Sequence, residues 1–138
     1  MRVIPLVPLF CLAWACGSTL PVTLTASPAA SPPDAIACVR NNLTKLGYRQ
    51  FAYDEIDFRV VSRKQDPTAH QADPQFRYNT DQIEANAAAG ADGKTALTVQ
   101  ARTFAMRQTH RGPTEEEQPA SAGVKEAAQK VLNTCGKS

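Results

Sequence analysis

Four cysteines, two histidines and a few grouped carboxylates are the side chains of this 138-residue chain whose types invite chemistry. A thiol can attack, ligate a metal or pair oxidatively, and spacing decides which. Cys11, Cys16, Cys38 and Cys135 contain no C-x-x-C pair, so thiol exchange is not expected. His70 and His110 fall in polar stretches with no ligand at metal-site spacing on a regular element. Asp66, Asp73 and Glu115 are only their neighbours in sequence, and both imidazoles read as solvated. Asp54, Glu55 and Asp57 suggest a calcium turn, but the central glycine and closing glutamate of an EF-hand loop do not follow. Glu115, Glu116 and Glu117 read as a solvated charge run. The chain has no G-x-S-x-G, phosphate-loop or H-E-x-x-H motif. It therefore reads as non-enzymatic, with no cofactor and no metal.

Compartment gives the cysteines their meaning. Arg2 precedes an apolar run from Val3 to Leu12, broken only by Pro5 and Pro8, and Ala13-Trp14-Ala15 supplies a small-x-small cleavage pattern. The run is too short to cross about 30 Å of hydrocarbon, so it reads as an export signal. Cleavage after Ala15 removes residues 1–15, Cys11 among them. Cys16, Cys38 and Cys135 then face an oxidising compartment, where an odd thiol is a liability.

The stretch Leu12-Ala13-Trp14-Ala15-Cys16-Gly17 resembles a bacterial lipobox. That resemblance implies diacylation of Cys16 by chains such as palmitate, and a lipid anchor. With Gly17 rather than aspartate after the cysteine, it also implies the outer membrane. Ordinary cleavage after Ala15 without acylation is the alternative. Lipidation removes the odd thiol and leaves Cys38 and Cys135 to pair. Residues 16–33 read as lipidation site plus linker, because Gly17 to Pro33 is rich in Ser, Thr, Ala and Pro and carries no charge. Fully extended, such a linker holds a domain on the order of 50 Å from a membrane.

Basic and acidic residues number 15 and 13, and the signal takes one arginine with it. A nearly neutral domain excludes bulk attraction to nucleic acid. Length allows one domain, assigned to residues 34–138. Within it Ile36, Val39, Leu43 and Leu46 form one helical stripe that Gly47 ends. Tyr48 to Tyr53 and Phe58 to Lys64 read as strands around an acidic turn. Phe76 to Ala88 and Lys94 to Arg107 form a hairpin turned at Asp92-Gly93, with Ile83, Ala85, Ala87, Leu97, Val99, Ala101 and Thr103 inward. Gln108 to Ala120 reads as a polar loop. Ser121 caps a last helix carrying Val124, Ala128, Val131 and Cys135.

The expected fold is α+β: two helices on one face of a four-stranded antiparallel sheet, in the order α-β-β-β-β-α. Antiparallel helices bring Cys38 and Cys135 within reach of a disulfide. The opposite sheet face should carry Arg59, Arg63, Thr98, Gln100, Arg102 and Phe104, three guanidiniums and an aromatic ring able to grip an anionic ligand or an envelope protein. The expected function is a membrane-tethered, non-catalytic binding or structural module of the cell envelope. A soluble secreted inhibitor or ligand-binding protein is the second reading. A helix followed by antiparallel strands resembles the cystatin-like arrangement, although Gln82-Ile83-Glu84-Ala85-Asn86 does not give that family's Q-x-V-x-G hairpin. The architecture also resembles small outer-membrane assembly lipoproteins, with no shared motif.

Overall fold

A computed structural model describes residues 20–137. In chain order it contains β1 (Val22–Ala26), α1 (Pro32–Lys45), β2 (Arg49–Asp54), β3 (Arg59–Asp66), β4 (Phe76–Ala89), β5 (Thr95–Thr109), β6 (Gly112–Gln118) and α2 (Ala122–Cys135). The sheet is antiparallel and six-stranded, ordered β1-β5-β4-β3-β2, with β6 also paired to β5.

The four-stranded sheet expected from sequence is therefore corrected. One missing strand lies inside the presumed linker: Val22 to Ala26 pairs with Ala101 to Leu97. Val22 and Leu24 are partly buried against the core, so the strand rests on alternate side chains that the Ser/Thr/Pro composition conceals. The folded unit begins before Asp34, and the linker does not extend to Pro33. The other missing strand replaces the presumed loop, with Gly112 to Gln118 pairing along Thr109 to Thr103. Acidic and proline-containing, it has poor strand propensity, but the long β5 offers it an open edge. The two strands share one edge of β5, end to end.

Within this frame the expected periodicities hold. Ile36, Val39 and Leu43 of α1, and Val124, Ala127, Ala128 and Val131 of α2, are buried in one cluster with Ile83, Ala85, Ala87, Leu97, Val99 and Ala101. Both helices therefore cover the same sheet face. Ser31 caps α1 and Ser121 caps α2 through their hydroxyls. Gly47 follows α1 at φ +85°, a conformation glycine adopts without a Cβ clash. Phe58 is a turn residue at φ +44° rather than the first residue of a strand. Its ring packs against the core.

Cys38 and Cys135 are joined in a disulfide with a Cα–Cα distance of 5.8 Å, closing a separation of 97 residues. The bridge ties the first half of α1 to the end of α2.

Candidate functional site

Arg59, Arg63, Gln100, Arg102 and Phe104 do share the face away from the helices, as strand alternation requires. What alternation does not reveal is that each arginine already has a carboxylate. Arg59 Nε donates to Glu84 Oε1 at 2.6 Å. Glu84, by bond and by charge, holds the Arg59 guanidinium above its ordinary pKa. Arg63 donates to Glu115 through Nη1 at 2.9 Å and Nη2 at 3.4 Å, and its Nε donates to Gln82. Arg102 Nη1 meets Glu117 at 3.2 and 3.3 Å, while its Nη2 donates to Gln100.

Glu115 and Glu117 reach this face because they stand opposite Met106 and Phe104 in the ladder. The charge run expected to be solvated is thus the counter-charge of the arginine row. Glu116, pointing the other way, lies 3.3 Å from Arg107 Nε, and Asp73 approaches Arg107 Nη1 at 2.7 Å. Aromatic rings complete the setting: the Arg63 guanidinium lies 4.4 Å from the Phe51 ring centroid and 5.6 Å from that of Phe104.

Across β3 to β6 the face is consequently a balanced lattice of three arginines and three glutamates. A ligand anion would have to displace a carboxylate already in place, which offsets most of what a guanidinium offers. The pairs are a quarter to a half exposed and individually contribute little to stability, about 0–1 kcal/mol. Removing both counter-charges in Glu115→Gln plus Glu117→Gln should release Arg63 and Arg102. We expect that variant to elute from a polyanionic resin at distinctly higher salt than the wild type. Equal elution would show that the glutamates do not mask the arginines.

A second constellation was not legible from sequence. Asp81 sits in β4 facing the helix side, where one carboxylate oxygen accepts from the Thr103 hydroxyl at 2.6 Å and both accept from Ser121 Oγ at 3.0 Å. Thr103 Oγ1 in turn accepts from the Ser121 backbone N–H, and Ser121 Oγ accepts from Val124 N–H. A serine beside a buried carboxylate invites a nucleophile reading. Here, however, Ser121 Oγ is committed at once to helix capping and to Asp81. His70 and His110 are both exposed. The arrangement locks the start of α2 to the sheet.

An open cleft of 630 Å³ lies beside it, lined among others by Tyr48, Lys64, Asp81 and Lys130. Tyr48 is 5 % exposed. Burial first, and then the Asp81 charge, push its phenol well above the ordinary tyrosine range. A raised acid pKa means that the folded state keeps a proton the unfolded chain loses above about pH 10, so this contribution to stability is present below that pH and declines above it. Denaturant titrations on either side of pH 10 should show a steeper alkaline loss for wild type than for Tyr48→Phe. Parallel losses would contradict the assignment.

The acidic turn has a local structural role. Asp54 Oδ1 accepts from the Ile56 and Asp57 backbone N–H groups at 2.8 and 3.1 Å. Those bonds, Asp57's first, lower the Asp54 pKa. Among the described residues no group of three or more His, Cys, Asp or Glu could hold a metal ion, and no helix is long and apolar enough to cross a membrane. Cys16, the expected lipidation site, and the signal segment lie outside the described residues. No protein-family model matches this chain, and neither does any curated protein.

Proposed function

We propose that the protein is a small exported lipoprotein, anchored through Cys16 in the outer membrane and serving as a non-catalytic binding or structural module of the cell envelope. The observation that carries the reading is the Cys38–Cys135 disulfide. Such a bond belongs to an oxidising compartment. It also uses two of the three cysteines that follow the signal, which makes Cys16 the odd one and favours its acylation.

Strand β1 changes how such an anchor would work. With pairing already under way at Val22, only Gly17 to Pro21 separate Cys16 from the sheet. At most about 3.6 Å per residue limits that tether to roughly 20 Å, in place of the 50 Å implied by a linker running to Pro33. The module would stand close to the lipid on its β1 side, with β2 at the far edge of the sheet. An envelope protein meeting the β1 end of the arginine–glutamate face would do so near the membrane surface, and one meeting β2 would do so farther out.

Fractionation of the native cells tests this reading. The wild-type chain should sediment with membranes and require detergent for release. Cys16→Ala should appear in the soluble exported fraction with an unchanged melting temperature. A wild-type chain that is itself soluble would contradict the anchor and favour the secreted alternative.

A further inference from the structure

Among the described residues, the edge of the sheet formed by β2 carries the two most exposed large apolar side chains, Phe51 at 66 % and, in the turn that follows, Ile56 at 88 %. Among the described residues β2 pairs with β3 alone, so its other side is an open ladder. We propose that this edge is a dimerisation surface whose partner is a second copy of the same chain. Two Arg49–Asp54 strands would pair antiparallel about a twofold axis passing between Phe51 and Ala52.

A β-bulge makes this pairing possible. Pairing of β2 with β3 slips between Gln50 and Ala52, leaving Phe51 as the extra residue. Contacts fix which way each side chain points. Arg49 stands opposite Arg63, Ala52 opposite Val61 and Asp54 opposite Arg59, all on the arginine face, and the Arg63 guanidinium lies over Phe51 on that same face. Gln50 stands opposite Ser62 on the helix side and accepts from Arg40 of α1, while Tyr53 stands opposite Val60 beneath that same arginine. From Arg49 to Asp54 the order is therefore out, in, out, out, in, out, which reads identically in both directions.

That symmetry has a geometric consequence. In an antiparallel pair, directly opposed residues share a face. A regular six-residue strand paired with itself about its midpoint would oppose outward side chains to inward ones, because the side-chain period is two. The bulge removes the conflict. Arg49 then opposes Asp54 of the other copy, Gln50 opposes Tyr53, and Phe51 opposes Ala52, each pair on a common face. Charge, hydrogen-bonding capacity and size are complementary in all three pairs, and the twofold axis repeats each of them. Edge bulges normally discourage added strands. This one would discourage strands of regular alternation while admitting its own copy, and the resulting interface is isologous and closed.

Six residues per strand bury less than the roughly 1,000 Å² of a stable interface, so the dimer is weak and reversible. Confinement to a membrane surface would favour it by raising the local concentration.

Sedimentation equilibrium of the full chain, taken up to about 1 mM, tests the proposal. Expected is a concentration-dependent monomer–dimer exchange with no higher species. Arg49→Glu sets like charges together at both ends of the strand pair, and Phe51→Glu sets two carboxylates beside the axis. Each should weaken dimerisation by about tenfold or more without lowering the monomer's melting temperature. Amide hydrogen exchange on the unmodified chain gives a second readout, in which protection within 50–53 should rise with concentration. A chain that stays monomeric throughout, a dimer indifferent to both substitutions, or exchange in β2 that ignores concentration would each overturn the proposal.

Discussion

Removing the disulfide should cost the domain about 2–5 kcal/mol and lower its melting temperature by roughly 10–20 °C. Cys38 and Cys135 are 97 residues apart, so the bond closes a loop spanning nearly the whole folded unit. In the chain-entropy account a loop of that size restricts the unfolded ensemble most, by about 4–5 kcal/mol. The core gives reason to expect dependence on this restraint. It contains many alanines, among them Ala35, Ala85, Ala87, Ala101, Ala127 and Ala128, and Tyr48 is its one buried aromatic ring among the described residues. Alanine buries little apolar area, so the hydrophobic contribution per residue is small. The check is a thermal melt of wild type beside Cys38→Ser plus Cys135→Ser. A change of only a few degrees would mean that helix packing alone holds α1 to α2.

Asp81→Ala should be the most damaging single substitution of a polar side chain, at about 2–4 kcal/mol. Asp81 is 8 % exposed and accepts from two hydroxyls, on Thr103 and Ser121. Its removal leaves both hydroxyls short of an acceptor, the Thr103 hydroxyl in a buried position. It also frees the capping serine to turn away from the Val124 N–H. Asp81→Asn preserves the shape and an acceptor, so it should cost less. Ser121→Ala alone should cost about 1–2 kcal/mol as a lost cap. Since the three residues act as one unit, Asp81→Ala plus Ser121→Ala should cost clearly less than the sum of the single changes. Denaturant unfolding of the four variants measures this, and strict additivity would show that the groups do not act together.

These two features differ in how far the sequence discloses them. The disulfide is accessible to reasoning because two helical stripes imply antiparallel helices with Cys38 near the start of one and Cys135 at the end of the other, and the expected oxidising compartment supplies the motive. The Asp81 cluster is not accessible. It joins residues 40 apart in the chain, and an aspartate within a strand carries no local sign of being buried.

The same division runs through the fold. The hairpin of β4 and β5 declares itself through alternation and Asp92-Gly93. β1 is only five residues long among prolines and threonines, and its existence depends on an edge of β5 that sequence alone does not announce. For β6 the local signal pointed the wrong way. Three consecutive glutamates suggest solvent, yet Glu115 and Glu117 are held by Arg63 and Arg102 across the sheet. With residues 108–120 read as a loop, the arginine row lacks its counter-charges and the face looks more cationic than it is. One signal was available: Glu115 and Glu117 are two apart, the spacing that puts side chains on one strand face. The bulge at Phe51 was likewise hidden, because it is a property of the β2–β3 register rather than of either strand.

We propose a chain tethered at Cys16 by a short segment and closed by the Cys38–Cys135 bond. Its most direct test is the intact mass of the protein recovered from its own cells, before and after reduction and alkylation. We expect a polypeptide beginning at Cys16, heavier by a diacylated lipid group, with two alkylatable thiols that appear only after reduction. An unlipidated chain carrying a third, freely alkylated thiol would contradict the tether.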